Sequence, residues 1–131
     1  MELIVKVILT LVLATGTLSQ YAPGKAQRTI TVRQTRPTAY PLPTELYPTD
    51  GYIAVLDCSE IGNVWTLRFP NSTLETFLVI DCAGDTTTRK WMIRNNIIGE
   101  VDYETALRHN SVGYGITDVQ IIEQQLGFLA R

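Results

Sequence analysis

From residue 50 onward, short apolar runs alternate with turn residues roughly every ten positions, a spacing that predicts an all-β domain rather than a helical one. Residues 52–56 (YIAVL) and 76–80 (TFLVI) are compact apolar runs suited to buried strands. Residues 64–69 (VWTLRF) are rich in β-formers, and residues 117–122 (TDVQII) alternate so that Val119 and Ile121 share one face. Asp50-Gly51, Pro70-Asn71-Ser72 and the Gly113/Gly115 pair punctuate these runs as turns. Asp102 followed by residues 103–108 (YETALR) reads as a capped short helix. Residues 84–89 read as a polar loop, and residues 91–98 fit neither period. Residues 124–131 are a helical turn or a tail. This pattern predicts a small barrel or sandwich.

The first half of the chain is organised differently. Residues 1–19 carry a weakly basic start (Lys6, offset by Glu2), an uncharged apolar run and then small residues. That is the layout of a secretory signal peptide, with Ala14-Thr15-Gly16 and Thr17-Leu18-Ser19 as cleavage triplets. The apolar run of about 12 residues is short for a bilayer span, which needs about 20. An uncleaved membrane anchor is the alternative. Residues 29–32 (TITV) alternate and are β-branched, which predicts a strand. Pro37, Pro41, Pro43 and Pro48 then exclude helix and make residues 20–49 an extended lead-in with one or two strands. The expected organisation is therefore a signal over 1–19, a lead-in over 20–49, a core over 50–123 and a tail over 124–131.

A net charge of −2, with no block of Lys or Arg, gives no nucleic-acid footprint. At 131 residues the chain is one domain. Its two cysteines, Cys58 and Cys82, predict a disulfide in an exported chain. Such a bond stabilises a small core by about 3 kcal/mol. The alternatives are a reactive thiol or a metal site, but two Cys and the single His109 make a poor zinc set. No cofactor is expected. Asn71-Ser72-Thr73 fits a glycosylation acceptor pattern. His109, near a helix end, reads as a solvated polar residue.

Three aspartates, Asp57, Asp81 and Asp102, each close a predicted strand or open a turn. Functional groups of small β-proteins concentrate at such places. Each also has a structural reading: Asp57 and Asp81 as turn formers, Asp102 as a helix cap. Trp65, Trp91, Tyr103 and Tyr114 are candidates for stacking on sugar rings, with core packing the competing role for Trp65.

GYIAVLDCSEIGNVWTL (51–67), VIDCAGD (79–85) and GEVDYETA (99–106), preceded by Thr38-Ala39-Tyr40, resemble in order and spacing the motifs of the three-aspartate domain. That domain belongs to the double-psi β-barrel group, with the C-terminal part of lytic transglycosylase A, rare-lipoprotein-A-like barrels, barwin, expansins and the smallest endoglucanases. The chain departs from the pattern at Cys82-Ala83-Gly84, in place of Thr-Gly-Gly, and at residues 91–96. The resemblance implies a six-stranded double-psi barrel with one or two short helices. It implies an exported monomer that cleaves cell-wall polysaccharide, peptidoglycan above all, with Asp102 as acid/base and Asp81 as its partner. Asp57, Trp91, Tyr40 and Tyr103 are then the substrate contacts. A barwin- or expansin-like barrel that binds wall glycan or a protein without cleaving is the alternative.

One-carboxylate chemistry requires that the acid start protonated. A helix-cap position favours the charged form, whereas a like charge close by opposes it. The expectation is therefore that Asp81 and Asp102 face each other across a groove.

Overall fold

The computed structural model describes residues 12–127. Six strands close into a barrel: β1 (Ala14–Gln20), β2 (Gly51–Val55), β3 (Val64–Arg68), β4 (Leu74–Cys82), β5 (Ile97–Val101) and β6 (Ile116–Gln125). Three short helices decorate it: α1 (Lys25–Thr35), α2 (Thr86–Arg94) and α3 (Tyr103–Arg108). The order around the barrel is β1-β5-β2-β4-β3-β6, and β6 returns to β1. Two neighbouring pairs run parallel, β1 with β5 and β2 with β4, and the other four run antiparallel. Closure leaves no strand edge open. The domain is mainly β, as the apolar runs predict.

Alternation along each strand fills the interior. Leu18, Ile53, Val55, Val64, Leu67, Phe77, Val79, Val101 and Val119 are buried almost completely. Phe69 joins them at the β3 end, its ring 5.9 Å from that of Phe77. Trp65 belongs to this core, and its indole N–H donates to Glu60 at 3.1 Å. The disulfide between Cys58 and Cys82 ties the short 3-10 turn after β2 to the end of β4.

Three expectations need correction. Residues 29–32 lie inside α1, not in a strand. Their β-branched alternation suggests a period of two, but Ala26 and Ile30, one helical turn apart, are the residues that become buried. The threonine hydroxyls are satisfied within the helix: Thr29 donates to the Lys25 carbonyl and Thr31 to that of Gln27, each at 3.0 Å. Secondly, the polar stretch 84–89 starts α2. Asp85 caps it by accepting from the Thr88 N–H at 2.7 Å and from the Thr88 hydroxyl at 2.8 Å. Thirdly, the lead-in over 20–49 holds no strand past Gln20, the end of β1, and Thr38-Ala39-Tyr40 lies in a loop.

The strand that fills the first barrel position is β1, within the segment read as an export signal. Residues 1–11 of that segment lie outside the described residues, but both candidate cleavage triplets fall in β1. Leu18 is fully buried, and Ala14 to Leu18 pair with β6 while Thr17 to Gln20 pair with β5. A boundary at residue 19 would remove a wall of the barrel. Gly16 fits because a Cβ there would collide with the Ile98 side chain and approach the Asn96 carbonyl at 2.7 Å.

A chain beginning at Tyr21 is therefore expected to lose cooperative unfolding in urea, whereas one beginning at Val12 keeps it. A sharp two-state transition in the shorter chain would show β1 to be dispensable.

Candidate functional site

The middle of β2 sets the site. Ala54 pairs with Asp81 of β4 on one side and with Glu100 of β5 on the other. Glu100 pairs in turn with Ser19 of β1. Residues directly opposite in paired strands project to the same face. Ser19, Glu100, Ala54 and Asp81 thus form one row across four strands. Their neighbours Leu18, Val101, Ile53 and Val55 point into the core. By alternation the row points outward. Neighbouring strands lie about 4.8 Å apart, so the two acidic residues flank Ala54 at about 10 Å between Cα atoms. The small alanine leaves open space between them.

That space is a cavity of about 200 Å³. Its floor is the row, and its walls include Tyr21 and Lys25 on one side and Thr88, Trp91 and Met92 of α2 on the other. The Asp81 carboxylate is ion-paired with Arg33 at 2.7 Å and accepts from the Tyr21 hydroxyl at 3.3 Å. Arg33 is held in turn by the Thr38 hydroxyl and the Tyr40 carbonyl, both at 3.2 Å. The Ser19 hydroxyl donates to Glu100 at 3.4 Å.

Burial pushes the Glu100 carboxyl up from its ordinary value. The negative charge of Asp81 adds to that shift, while Lys25 and the Ser19 hydrogen bond oppose it. Burial likewise pushes the Tyr21 hydroxyl well up, reinforced by the charges of Asp81 and Glu100, so Tyr21 stays a neutral donor. The cavity thus holds two carboxyl groups, one of them ion-paired and the other biased towards its protonated form. Such a pair is the usual equipment of acid/base chemistry on a glycosidic or similar bond. Among the described residues no cluster of three His, Cys, Asp or Glu is placed to hold a metal ion.

The three aspartates do not come together. Asp81 borders two adjoining cavities, Asp102 lines another with Gly51, Tyr52, Tyr103 and Arg108, and Asp57 lines a fourth beside Trp65 and Ile93. The expected facing of Asp81 and Asp102 across one groove is not what the barrel builds. Asp102 is only 4 % exposed, and its carboxylate is occupied by the fold. It accepts from the Thr105 hydroxyl at 2.7 Å, the Tyr52 N–H at 2.9 Å and the Thr105 N–H at 3.3 Å. It caps α3 and pins that helix to the start of β2. Gly51 must be glycine there, because a Cβ would lie 2.7 Å from the Asp102 carboxylate and 2.6 Å from the Thr105 hydroxyl.

Asp57 caps the short 3-10 turn. Hydrogen bonds from the Ser59 N–H and hydroxyl hold its carboxyl below the usual range. Of the aromatic candidates, Trp91 is 47 % exposed on the cavity wall. Tyr103 lines the Asp102 cavity. The exposed ring of Tyr40 is outside the residues lining these cavities, and that residue contributes its carbonyl to Arg33. His109, read as solvated, stacks on Phe69 at 4.0 Å between ring centres and meets the Glu75 carboxylate.

Glu100, Ser19, Tyr21 and Arg33 were not singled out by the sequence. Glu100 carried no usable signal, because residues 91–98 fit neither period and β5 was not among the predicted strands. No family model, curated protein or solved structure matches the chain, so these assignments rest on its own geometry. The fold and site define a closed six-stranded barrel carrying a paired-carboxylate groove on its outer wall.

The Asp102→Ala variant is expected to lose about 1–3 kcal/mol of stability in urea denaturation, from a lost cap and two newly unpaired buried groups. Asp81→Ala is expected to shift the midpoint less. Equal midpoints for wild type and Asp102→Ala would remove the capping role.

Proposed function

We propose that this barrel is an exported enzyme that cleaves a polysaccharide, peptidoglycan being the first candidate, and that Glu100 and Asp81 carry the chemistry. The observation that supports this reading is the row Glu100–Ala54–Asp81, two carboxyl groups at one level of the sheet with an open floor between them. The two parallel strand pairs within a closed six-stranded barrel agree with the double-psi arrangement of the resemblance. The disulfide suits an oxidising compartment. Among the described residues no helix is long and apolar enough to cross a membrane. The order of motifs in the sequence points to the same class of activity but to a different acid, Asp102, whose carboxylate is committed to α3.

In this reading Glu100, biased towards its protonated form, gives its proton to the glycosidic oxygen as the bond to the anomeric carbon breaks. Asp81, fixed by Arg33 and Tyr21, faces the positive charge that develops at that carbon. The attacking hydroxyl, from water or from the sugar itself, then returns its proton to the Glu100 carboxylate. Trp91 offers an exposed ring face at the groove wall for a sugar to stack on. That exposed ring also favours a second reading, a barrel that binds glycan without cleaving it.

Glu100→Gln separates the two. Under the enzyme reading it lowers the release of soluble muropeptides from purified peptidoglycan by at least about 100-fold while sedimentation with the polymer persists. Equal product release from wild type and variant would remove Glu100 from the chemistry, and binding without any release from either protein selects the second reading. Wild-type activity falls as pH rises through the elevated Glu100 value, because the acid is lost. The same shift has a stability consequence. The folded state holds this proton more tightly than the unfolded chain, so the Glu100 contribution to stability is full at low pH and is lost as pH rises through the raised value. Glu100→Gln is therefore expected to melt at higher temperature than wild type at neutral pH, with the gap closing in acid.

A further inference from the structure

The carboxylate groove does not end at Asp81. A second cavity of about 520 Å³ adjoins it, sharing Asp81 and Lys25 and extending along α1 past Arg28, Thr29, Val32, Arg33 and Thr38. The two cavities differ in charge. The first is floored by two acids, and the second is lined by three cations against the single shared Asp81. Arg33 is spoken for by Asp81. Lys25 and Arg28 are exposed, and among the described residues neither has an ion-pair partner. Lys25 packs its ammonium 5.0 Å from the Tyr21 ring centre, which fixes it at the junction of the two cavities. Arg28 stands one helical turn further on, on the same side of α1. In a chain whose net charge is −2, two unpaired cations beside an acidic groove are a local feature that the overall composition does not supply.

We propose that this second cavity is a subsite for an anionic saccharide unit, whose carboxylate or phosphate seats against Lys25 and Arg28 while the neighbouring linkage lies over Glu100 and Asp81. The proposal rests on the groove being a glycan site and adds the substrate's charge. Thr38, whose hydroxyl accepts from Arg33, has its own proton left to donate at the same wall, whereas the Thr29 hydroxyl is given to the Lys25 carbonyl. Exposed ion pairs of this kind contribute modestly, so each cation is expected to change affinity by about two- to five-fold.

The test measures binding by calorimetry with the full-length Glu100→Gln variant, so that no cleavage is needed. The probes are oligogalacturonides, glycerophosphate-bearing glucan oligosaccharides and neutral cello-oligosaccharides of matched length. The expected result is tighter binding of an anionic probe than of the neutral one, weakening with added salt. Charge reversal, Arg28→Glu, should weaken the anionic probe about ten-fold or more, whereas Arg68→Gln, on β3, should not. The tighter of the two anionic probes identifies carboxylate or phosphate as the group read. Equal binding of neutral and anionic probes overturns the proposal, as does unchanged affinity in Arg28→Glu. Arg28-dependent anion binding by a protein that cleaves nothing would leave this subsite standing and overturn the enzyme reading instead. Glu100-dependent cleavage with no preference for charge would do the reverse.

Discussion

Everything in this molecule depends on β1 closing the barrel. Without it, β5 and β6 would each present an open edge, with unpaired backbone groups facing solvent. β1 contributes few apolar side chains: of Ala14–Gln20, only Gly16 and Leu18 are buried. Its contribution is the backbone ladder to β5 and β6, with a register shift on each side near Leu18. The same strand supplies Ser19 to the acidic row and leads directly into Tyr21, whose N–H donates to the Val101 carbonyl. Closure of the fold and assembly of the groove are therefore one event.

The groove uses a general property of paired strands. Three strands in register put three side chains in a line, and a small residue in the middle opens a gap between two large ones. Here the middle residue is Ala54. The environments of the two flanking acids are then differentiated: Arg33 reaches Asp81 from α1, while Glu100 is half-buried near the Lys25 ammonium. Burial pushes the Glu100 carboxyl up, which weakens the fold at neutral pH and, under the proposed reading, equips the site with a proton donor. The stability that offsets it lies elsewhere, in the apolar interior, in the disulfide and in the buried hydrogen bonds of Asp102.

Asp81 and Asp102 illustrate how residue type and position can mislead. Each ends a strand or opens a helix, and each stands next to residues that suggest a site. What separates them is the fate of the carboxylate oxygens. Those of Asp102 are taken up by Thr105 and by the Tyr52 N–H and are closed off from solvent. The Asp81 side chain stays 30 % exposed at the meeting of two cavities.

The β class, the positions of β2, β3, β4 and β6, the helix capped by Asp102 and the pairing of Cys58 with Cys82 are all legible in the amino-acid order. These are local or compositional matters: apolar runs, turn residues, a capping aspartate and the count of cysteines. Other stretches fit two readings in sequence. The small residues of 14–19 suit a leader's cleavage site and equally a barrel strand that buries only Gly16 and Leu18. The Thr-Ile-Thr-Val run became helical because packing of Ala26 and Ile30 outweighed local preference. Which acids meet is set by the folded sheet alone. Asp81 and Glu100 are 19 positions apart in the chain and are made neighbours by β2, which runs parallel to one of their strands and antiparallel to the other. No local pattern encodes that register, because it follows from the closure of the whole sheet.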